Sequence, residues 1–252
     1  MKALLDGDLV AFRSAASCKE DDDKGIAIWR ANKLVEQLLI ETNASSHTIY
    51  LSGGDNFRKE IDPLYKANRI NQPRPQWLEA VREFLVLEWN AIVTDGIEAD
   101  DVMGIAQCTE NNFFINHPDF YGESQTMRSC IVSLDKDMQM IPGWHYSWAI
   151  AGPNWTKEAK WNVVHELDGL RNFYISSLIG DVADNISGVK GLGKAKAPRE
   201  LEGCITEEDM FKRCRTLYDE DDRFFRNLQL LWIQRKENDV FSRQRFLELC
   251  NS

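Results

Sequence analysis

Asp100 and Asp101 follow Glu98 in the run Glu98-Ala99-Asp100-Asp101. Asp101-Val102-Met103-Gly104-Ile105-Ala106 then reads as the opening of a helix, so Glu98 and Asp101, three apart, share one face. Asp135 and Asp137 stand at i and i+2, which places both carboxylates on one side of an extended segment. Asp181 and Asp184 repeat the three-residue spacing within Gly180-Asp181-Val182-Ala183-Asp184-Asn185. Taken singly, each pair is also what an acidic helix start, a cap or a solvated turn would look like. Taken together they call for cations, because two carboxylates about 4 Å apart repel by about 4 kcal/mol at an effective dielectric of 20. All-oxygen ligands with no histidine or cysteine among them favour Mg²⁺ or Mn²⁺. Two such ions, spaced by about 3.5 to 4 Å, suit hydrolysis of a phosphodiester, one activating water and both stabilising the developing charge.

These carboxylates must be held by a scaffold, and the sequence supplies one. Four short apolar runs read as strands: Lys2 to Leu5, Thr48 to Ser52, Ala91 to Thr94 and Cys130 to Leu134. Between them, Ala27 to Glu41 and Gln76 to Trp89 carry apolar residues at helical spacing. Strand, helix, strand, helix predicts an α/β fold with a mostly parallel central sheet and flanking helices. In such sheets functional groups gather beyond the carboxyl ends of the strands. Here those ends are Asp6-Gly7-Asp8, Ser52-Gly53-Gly54-Asp55, Asp95 to Asp101 and Asp135-Lys136-Asp137, so acidic residues converge on one edge. Cys108 to Arg128 is polar and turn-rich and reads as a surface excursion. From about Arg171 the pattern turns helical, through Phe211 to Tyr218 and Phe224 to Gln234. The expected organisation is residues 1–168 as a metal-dependent domain and 169–252 as a helical subdomain.

Two segments are suited to phosphates. Gly188-Val189-Lys190-Gly191-Leu192-Gly193-Lys194-Ala195-Lys196-Ala197 reads as a tight glycine hairpin between helices, offering backbone N–H groups and Lys190, Lys194 and Lys196. It is not a Walker loop, lacking Gly-Lys-Ser/Thr after a strand; the backbone of a DNA duplex is the better fit, with Gly191 and Gly193 allowing close approach. The second segment, Asn56 to Arg74, supplies Arg58, Lys59, Lys66, Arg69 and Arg74 together with Tyr65, cations for phosphates and a ring to stack on an unpaired base at a 5′ end. Alone, either could be a solvated loop.

Composition agrees with one substantial core: 252 residues, 43% hydrophobic and 10% aromatic. The net charge of −10 argues against a nucleic-acid partner unless the basic stretches flank a metal-loaded acidic centre, with other acidity spent in solvated runs such as Glu20 to Asp23 and Asp219 to Asp222. Six cysteines without a Cys-x-x-Cys pair and four scattered histidines predict reduced thiols and no zinc site. The apolar start Met1 to Leu5 meets Asp6 and Asp8 at once, too short for a signal peptide or a membrane span, so a cytoplasmic location, that of the host if the source is a phage, is expected.

In this order the pieces resemble the 5′-nuclease family of phage exonucleases, phage ribonuclease H and the 5′-nuclease domain of bacterial DNA polymerase I, over nearly the whole chain. LLDGDLVAFR is similar to the family's first strand, which implies Asp6 rather than Asp8 as a metal ligand. FRKEIDPLYKANR resembles the start of its helical arch, near 57–89, which implies that Arg58, Lys66 and Arg69 act at the scissile phosphate. EADD, SLDKD and GDVADNISGVKGLGKAKA resemble the other acidic motifs and the helix-three-turn-helix duplex clamp, at 178–200 here. They imply Glu98, Asp100, Asp101, Asp135, Asp137, Asp181 and Asp184 as ligands of two Mg²⁺ ions, or Mn²⁺, or as groups behind them. The resemblance further implies a PIN-like fold and a K⁺ ion on backbone carbonyls of the hairpin, Val189 and Leu192 included. It implies a monomer that cuts DNA with 5′ ends or flaps, RNA–DNA hybrids also being allowed, beside other replication proteins. The sequence departs from the family where relatives carry an aspartate at the end of the second strand: here stands Leu51-Ser52-Gly53-Gly54-Asp55, with Asp55 as a substitute. The short segment from Tyr65 to Trp89 implies a small arch and favours simple 5′-end digestion.

Two rival readings follow from the same residues. A non-catalytic binder of branched DNA that kept the fold would explain the altered second strand, against which stand eight carboxylates. A small acidic RNA nuclease would lack the glycine hairpin at Gly188 to Lys196.

Overall fold

A computed structural model describes residues 1–115, 128–152 and 154–252. In chain order its elements are β1 (Lys2–Asp6), α1 (Gly7–Ala16), α2 (Lys24–Glu41), β2 (Ser46–Leu51), α3 (Arg58–Ile61), α4 (Leu78–Trp89), β3 (Ile92–Val93), α5 (Ala99–Ile115), β4 (Ser129–Val132), β5 (Gly143–Ser147), β6 (Ile150–Gly152), β7 (Trp155–Lys157), β8 (Lys160–Val164), α6 (Glu166–Ile179), β9 (Gly180–Asp181), β10 (Ile186–Ser187), α7 (Ala197–Glu200), α8 (Glu207–Leu217), α9 (Asp221–Leu231) and α10 (Arg243–Asn251). Short 3-10 turns lie at Ala67–Arg69 and Asp137–Met140.

The main sheet has the order β3-β2-β1-β4-β5-β8. Its pairings are parallel from β3 through β5, and β8 closes the edge antiparallel, with His145 opposite Asn162. Leu5 sits opposite Ile49 on one side and Val132 on the other, so β1 is buried between neighbours, as its unbroken apolar run requires. Alternate residues of β1 then serve two cores. Ala3 and Leu5 pack with Val10, Val35, Leu38 and Leu85 from α1, α2 and α4. Leu4 packs with Met103 of α5 and with Phe173, Phe211, Phe224 and Phe246 of the C-terminal helices. The helices from α6 onward therefore share a core with one face of the sheet.

The four predicted strands are present within a few residues of their expected bounds, and so are both predicted crossover helices. Cys108 to Ile115, expected as the start of an excursion, instead continues α5; the rest of that segment, 116–127, lies outside the described residues. The helix α1 and the strands β5 and β8 were not anticipated. All six cysteines are free thiols. Among the described residues no helix is long and apolar enough to cross a membrane.

Candidate active site

The carboxyl end of β1 runs straight into α1. Asp6 caps that helix by accepting from Leu9 N at 3.0 Å, and it is only 3% exposed. Its other oxygen accepts from Ser133 Oγ at 2.7 Å, just beyond β4. Ser133 Oγ in turn accepts from Asp135 N at 2.9 Å, and Asp135 Oδ1 from Asp137 N at 2.8 Å. One network thus fixes Asp6, Asp135 and Asp137. Burial, and then the charges of Asp8 and Asp135, push the Asp6 carboxyl up to about 7 against the pull of its hydrogen bonds. Burial pushes up Asp100 too, helped by Asp6, Asp135 and Glu98. These carboxylates are close enough to resist one another's ionisation.

A second group closes over this edge from the 64–69 segment. Lys66 is in the left-handed region, φ 57°, a conformation costly for a side-chain-bearing residue. It is held there by its own N–H donating to Asp184 O at 3.0 Å. Asn68 Nδ2 donates to Val182 O at 2.6 Å, Arg69 Nε to Ala183 O at 2.9 Å and Asn185 Nδ2 to Leu64 O at 2.9 Å, so the segment is laced to the 182–185 loop. Lys66 Nζ pairs with Glu98 and lies 3.8 Å from Asp184, which also pairs with Arg69. Burial alone would raise the Glu98 carboxyl, but Lys66 and Arg58 outweigh it and hold it below its ordinary value. Tyr65, expected to stack on a base, is 4% exposed and donates to Glu98 at 3.0 Å or Asp184 at 3.1 Å. It is a buried brace for those carboxylates, and its ring is not available for stacking.

One further expectation is corrected, for Arg58, and for Asp101 the contacts favour a place behind the ligands, the second of its two expected roles. Arg58 lies beneath the edge, 3.6 Å from Glu98 and not open to a phosphate: it is 2% exposed and donates to both oxygens of Asp101, at 2.6 and 2.9 Å. Its remaining N–H groups donate to Leu230 O at 2.8 Å and Trp232 O at 2.6 Å. Asp101 is fully buried and also accepts from Glu98 N and Gln234 N. With its oxygens taken by four N–H donors it has no capacity left for an ion, and the pair joins α3, α5 and the end of α9.

Sequence reasoning used Lys136 only as a spacer, yet its Nζ lies 2.9 Å from Asp137 and 3.4 Å from Asp181. The alternation Asp-Lys-Asp was the available signal. Arg82 was also missed: it pairs with Asp8 and donates to Ser52 O at 2.7 Å, while Asp8 accepts from Ser52 N. Ser52 Oγ accepts from Ala99 N at 3.0 Å, at the start of α5. Asp55 is exposed and does not join this network, so it does not stand in for the missing strand-end carboxylate.

Past α6 the chain turns through Gly188, where a Cβ would lie 2.3 Å from the Ile179 carbonyl, so only glycine lets the two backbones approach. Val189 N donates to Leu178 O at 2.8 Å, and Gly191 adopts φ +86°. Lys190, Lys194 and Lys196 project from this turn, exposed and without an ion pair among the described residues. Val189 and Leu192 pack partly into the core, and Val189 O already accepts from Leu192 N. The second helix of the expected pair is the single turn α7.

The donor chemistry of the edge fits hard divalent cations: carboxylate oxygens only, crowded enough to raise one another. Among the described residues no three of these groups come together closely enough to enclose an ion; the ammonium groups of Lys66 and Lys136 span them instead.

A parallel sheet with an acidic carboxyl edge beside a glycine-turn helical module sets candidate ligands for hard cations next to exposed lysines. Residues 2–147 match the family model of the 5′-3′ exonuclease N-terminal resolvase-like domain, and the chain belongs to that family. It is 26% identical over 211 residues to the exonuclease of Escherichia phage T7, covering 75% of this chain and 63% of that protein. It is 24% identical over 262 residues to DNA polymerase I of Chloroflexus aurantiacus, covering 96% of this chain and 25% of the polymerase. The chain thus spans just under two thirds of its phage relative. By fold it is similar to the 5′-exonuclease of bacteriophage T5 with bound zinc ions, TM-score 0.66 at 17% identity, covering 92% of this chain and 89% of that one. It is also similar to the T5 flap endonuclease in complex with DNA and metal ions, TM-score 0.65 at 16% identity, covering 100% and 99%.

Proposed function

We propose that the chain hydrolyses phosphodiester bonds of DNA from 5′ ends, or at 5′ flaps, using divalent metal ions. The observation that carries this reading is the edge lined by Asp6, Glu98, Asp100, Asp135, Asp137, Asp181 and Asp184, with Lys66, Arg69 and Lys136 set among them. Asp6, Asp100 and Asp135 would hold one Mg²⁺ or Mn²⁺, and Asp137, Asp181 and Asp184 a second. When bound, the ions would supply an activated water and charge neutralisation at the phosphate. The chain's own part is positional. Tyr65 and Arg69 hold the 182–185 loop against the edge, and Lys66 presents its ammonium group where negative charge develops. Lys190, Lys194 and Lys196 would bind duplex phosphates, with Gly191 and Gly193 letting the backbone approach. K⁺ would bind on carbonyls of that turn, Leu192 being freer than Val189. RNA–DNA hybrids would present the same phosphates, and replication proteins are natural partners.

Cleavage of a 5′-labelled duplex and a 5′-flap duplex in Mg²⁺, Mn²⁺ or EDTA tests this, with Asp135→Asn as control. Metal-dependent cutting lost in the variant supports it, and product length separates exonuclease from flap activity. Intact substrate despite tight binding would favour instead a non-catalytic DNA binder, the reading suggested by Ser52 at the strand end and Asp55 turned to solvent.

A further inference from the structure

At the far end of α1 lies an open cleft of about 290 Å³, bounded by the last turn of α1, the outer face of α2 and the segment after β5. Arg13, Ser14, Arg30, Leu34, Trp148 and Ile150 line it. It is set apart from the acidic edge: Arg13 and Ser14 lie seven and eight residues along α1 from its cap Asp6, a rise of about 10 to 12 Å.

Two of its groups lack what the rest of the protein provides, and a third has donors to spare. Ser14 is 4% exposed and its Oγ has no hydrogen-bond partner, a costly state for a hydroxyl. The half-buried Arg13 guanidinium makes no ion pair or hydrogen bond among the described residues, although acidic side chains outnumber basic ones 40 to 30. Arg30 is partnered at one end of its fork, donating to Ser17 Oγ at 3.0 Å and Cys18 Sγ at 3.5 Å with Asp22 as an ion pair at 3.7 Å, and its remaining N–H groups are unused. Two guanidinium forks with unused donors beside a buried hydroxyl make a site for a phosphate or a similar oxyanion.

The cleft is too large for phosphate alone. A water molecule takes up about 30 Å³ of liquid, and inorganic phosphate displaces only a few. The remaining wall mixes apolar and aromatic side chains, Leu34, Ile150 and the buried Trp148, with the amide of Gln37. That combination takes a flat apolar body carrying a phosphate.

We propose that this cleft binds a nucleoside monophosphate, with Arg13 and Arg30 on the phosphate, Ser14 donating to it, and the nucleoside against Trp148 and Ile150. The ligand is either a free mononucleotide or the terminal nucleotide of a strand; both present the same chemistry.

The test is calorimetric titration of the intact protein in EDTA with dAMP, inorganic phosphate, adenosine and short oligonucleotides phosphorylated at the 5′ or 3′ end. The expected result is dAMP binding at least 10-fold tighter than phosphate or adenosine, weakened 10-fold or more by Arg13→Gln and less by Arg13→Lys. Ser14→Ala is expected to weaken binding several-fold while leaving the melting temperature of the free protein unchanged or higher, which a merely structural hydroxyl would not do. An oligonucleotide end that binds tighter than dAMP assigns the source as a strand terminus; the reverse assigns a free nucleotide. Binding of dAMP no tighter than of phosphate, or insensitive to Arg13→Gln in a variant that melts normally, overturns the proposal. Because binding is read without metal, its failure leaves metal-dependent cleavage untouched, and an inactive nuclease leaves the binding result standing.

Discussion

Arg58 grips both carboxylate oxygens of Asp101 in a fully buried pair, and its other donors reach the Leu230 and Trp232 carbonyls. Burial works against the Arg58 charge, but Asp101 more than offsets it and raises the guanidinium's proton affinity. Removing one partner strands the other charge in the core. Arg58→Ala and Asp101→Asn are each expected to cost about 3 to 5 kcal/mol in urea unfolding. The double variant Arg58→Met, Asp101→Leu should recover a large part of that. A metal-ligand role for Asp101 predicts the opposite pattern, lost metal response with unfolding midpoint retained, and that result would remove the structural assignment.

Lys66 combines a strained backbone with a functional side chain, and the two can be separated. Lys66→Ala should lower kcat/KM by about 100-fold, the scale of losing one preorganised donor. Lys66→Gly should lose the same activity yet unfold about 1 kcal/mol harder than Lys66→Ala, since glycine accepts φ 57° freely. Equal stability of the two variants would show that the left-handed turn carries no strain.

What was legible in the sequence follows from locality. β1, β2 and β4 are buried on both faces and read as apolar runs, and the acidic residues that end them could be placed without knowing any contact. β5 and β8 escaped notice because Trp144, Tyr146 and Trp161 alternate with polar residues at a half-exposed edge. α1 was hidden because Asp6 serves at once as strand end, cap and site residue. Arg58 and Tyr65 were misjudged for the same reason as each other. A basic, aromatic stretch looks solvated, and nothing nearby in sequence tells that its partners lie at Leu230, Trp232 and Asp184.

The three lysines of the 188–196 turn make no ion pairs among the described residues, so their neutralisation should leave the fold intact. Each phosphate contact contributes close to one unit of slope in log K against log salt. Changing Lys190, Lys194 and Lys196 to alanine should therefore flatten the salt dependence of duplex binding by about two to three units, uniformly across sequences. An unchanged slope would mean that DNA tracks another surface.

Asp135 raises both Asp6 and Asp100, so the metal-free protein carries that repulsion. Asp135→Asn should stabilise the protein in EDTA on the order of 1 kcal/mol. The wild type should gain stability as Mg²⁺ rises, about 2.7 kcal/mol at a hundredfold excess over Kd, while the variant gains little. Differential scanning calorimetry at fixed pH reads both effects, and a variant destabilised in EDTA would contradict the account.

His145 sits in β5 between Ile131 and Asn162, its Nε2–H donating to Ile141 O at 2.7 Å and its Nδ1 buried without a partner. Burial depresses its pKa from 6.5 to about 4. The unfolded chain takes up a proton below about 6.5 that the folded state refuses, so stability is constant above that pH and falls between about 6.5 and 4. The depression corresponds to about 3 kcal/mol across that window. Asp6, raised toward 7, works in the other direction, stabilising the metal-free fold as the pH falls. Subtracting the stability curve of His145→Gln from that of the wild type cancels the carboxylate contribution. The difference should be flat above pH 7 and decline through pH 5. A flat difference throughout would mean that the His145 ring takes up its proton in the folded protein as readily as in the unfolded chain, and would overturn the burial account.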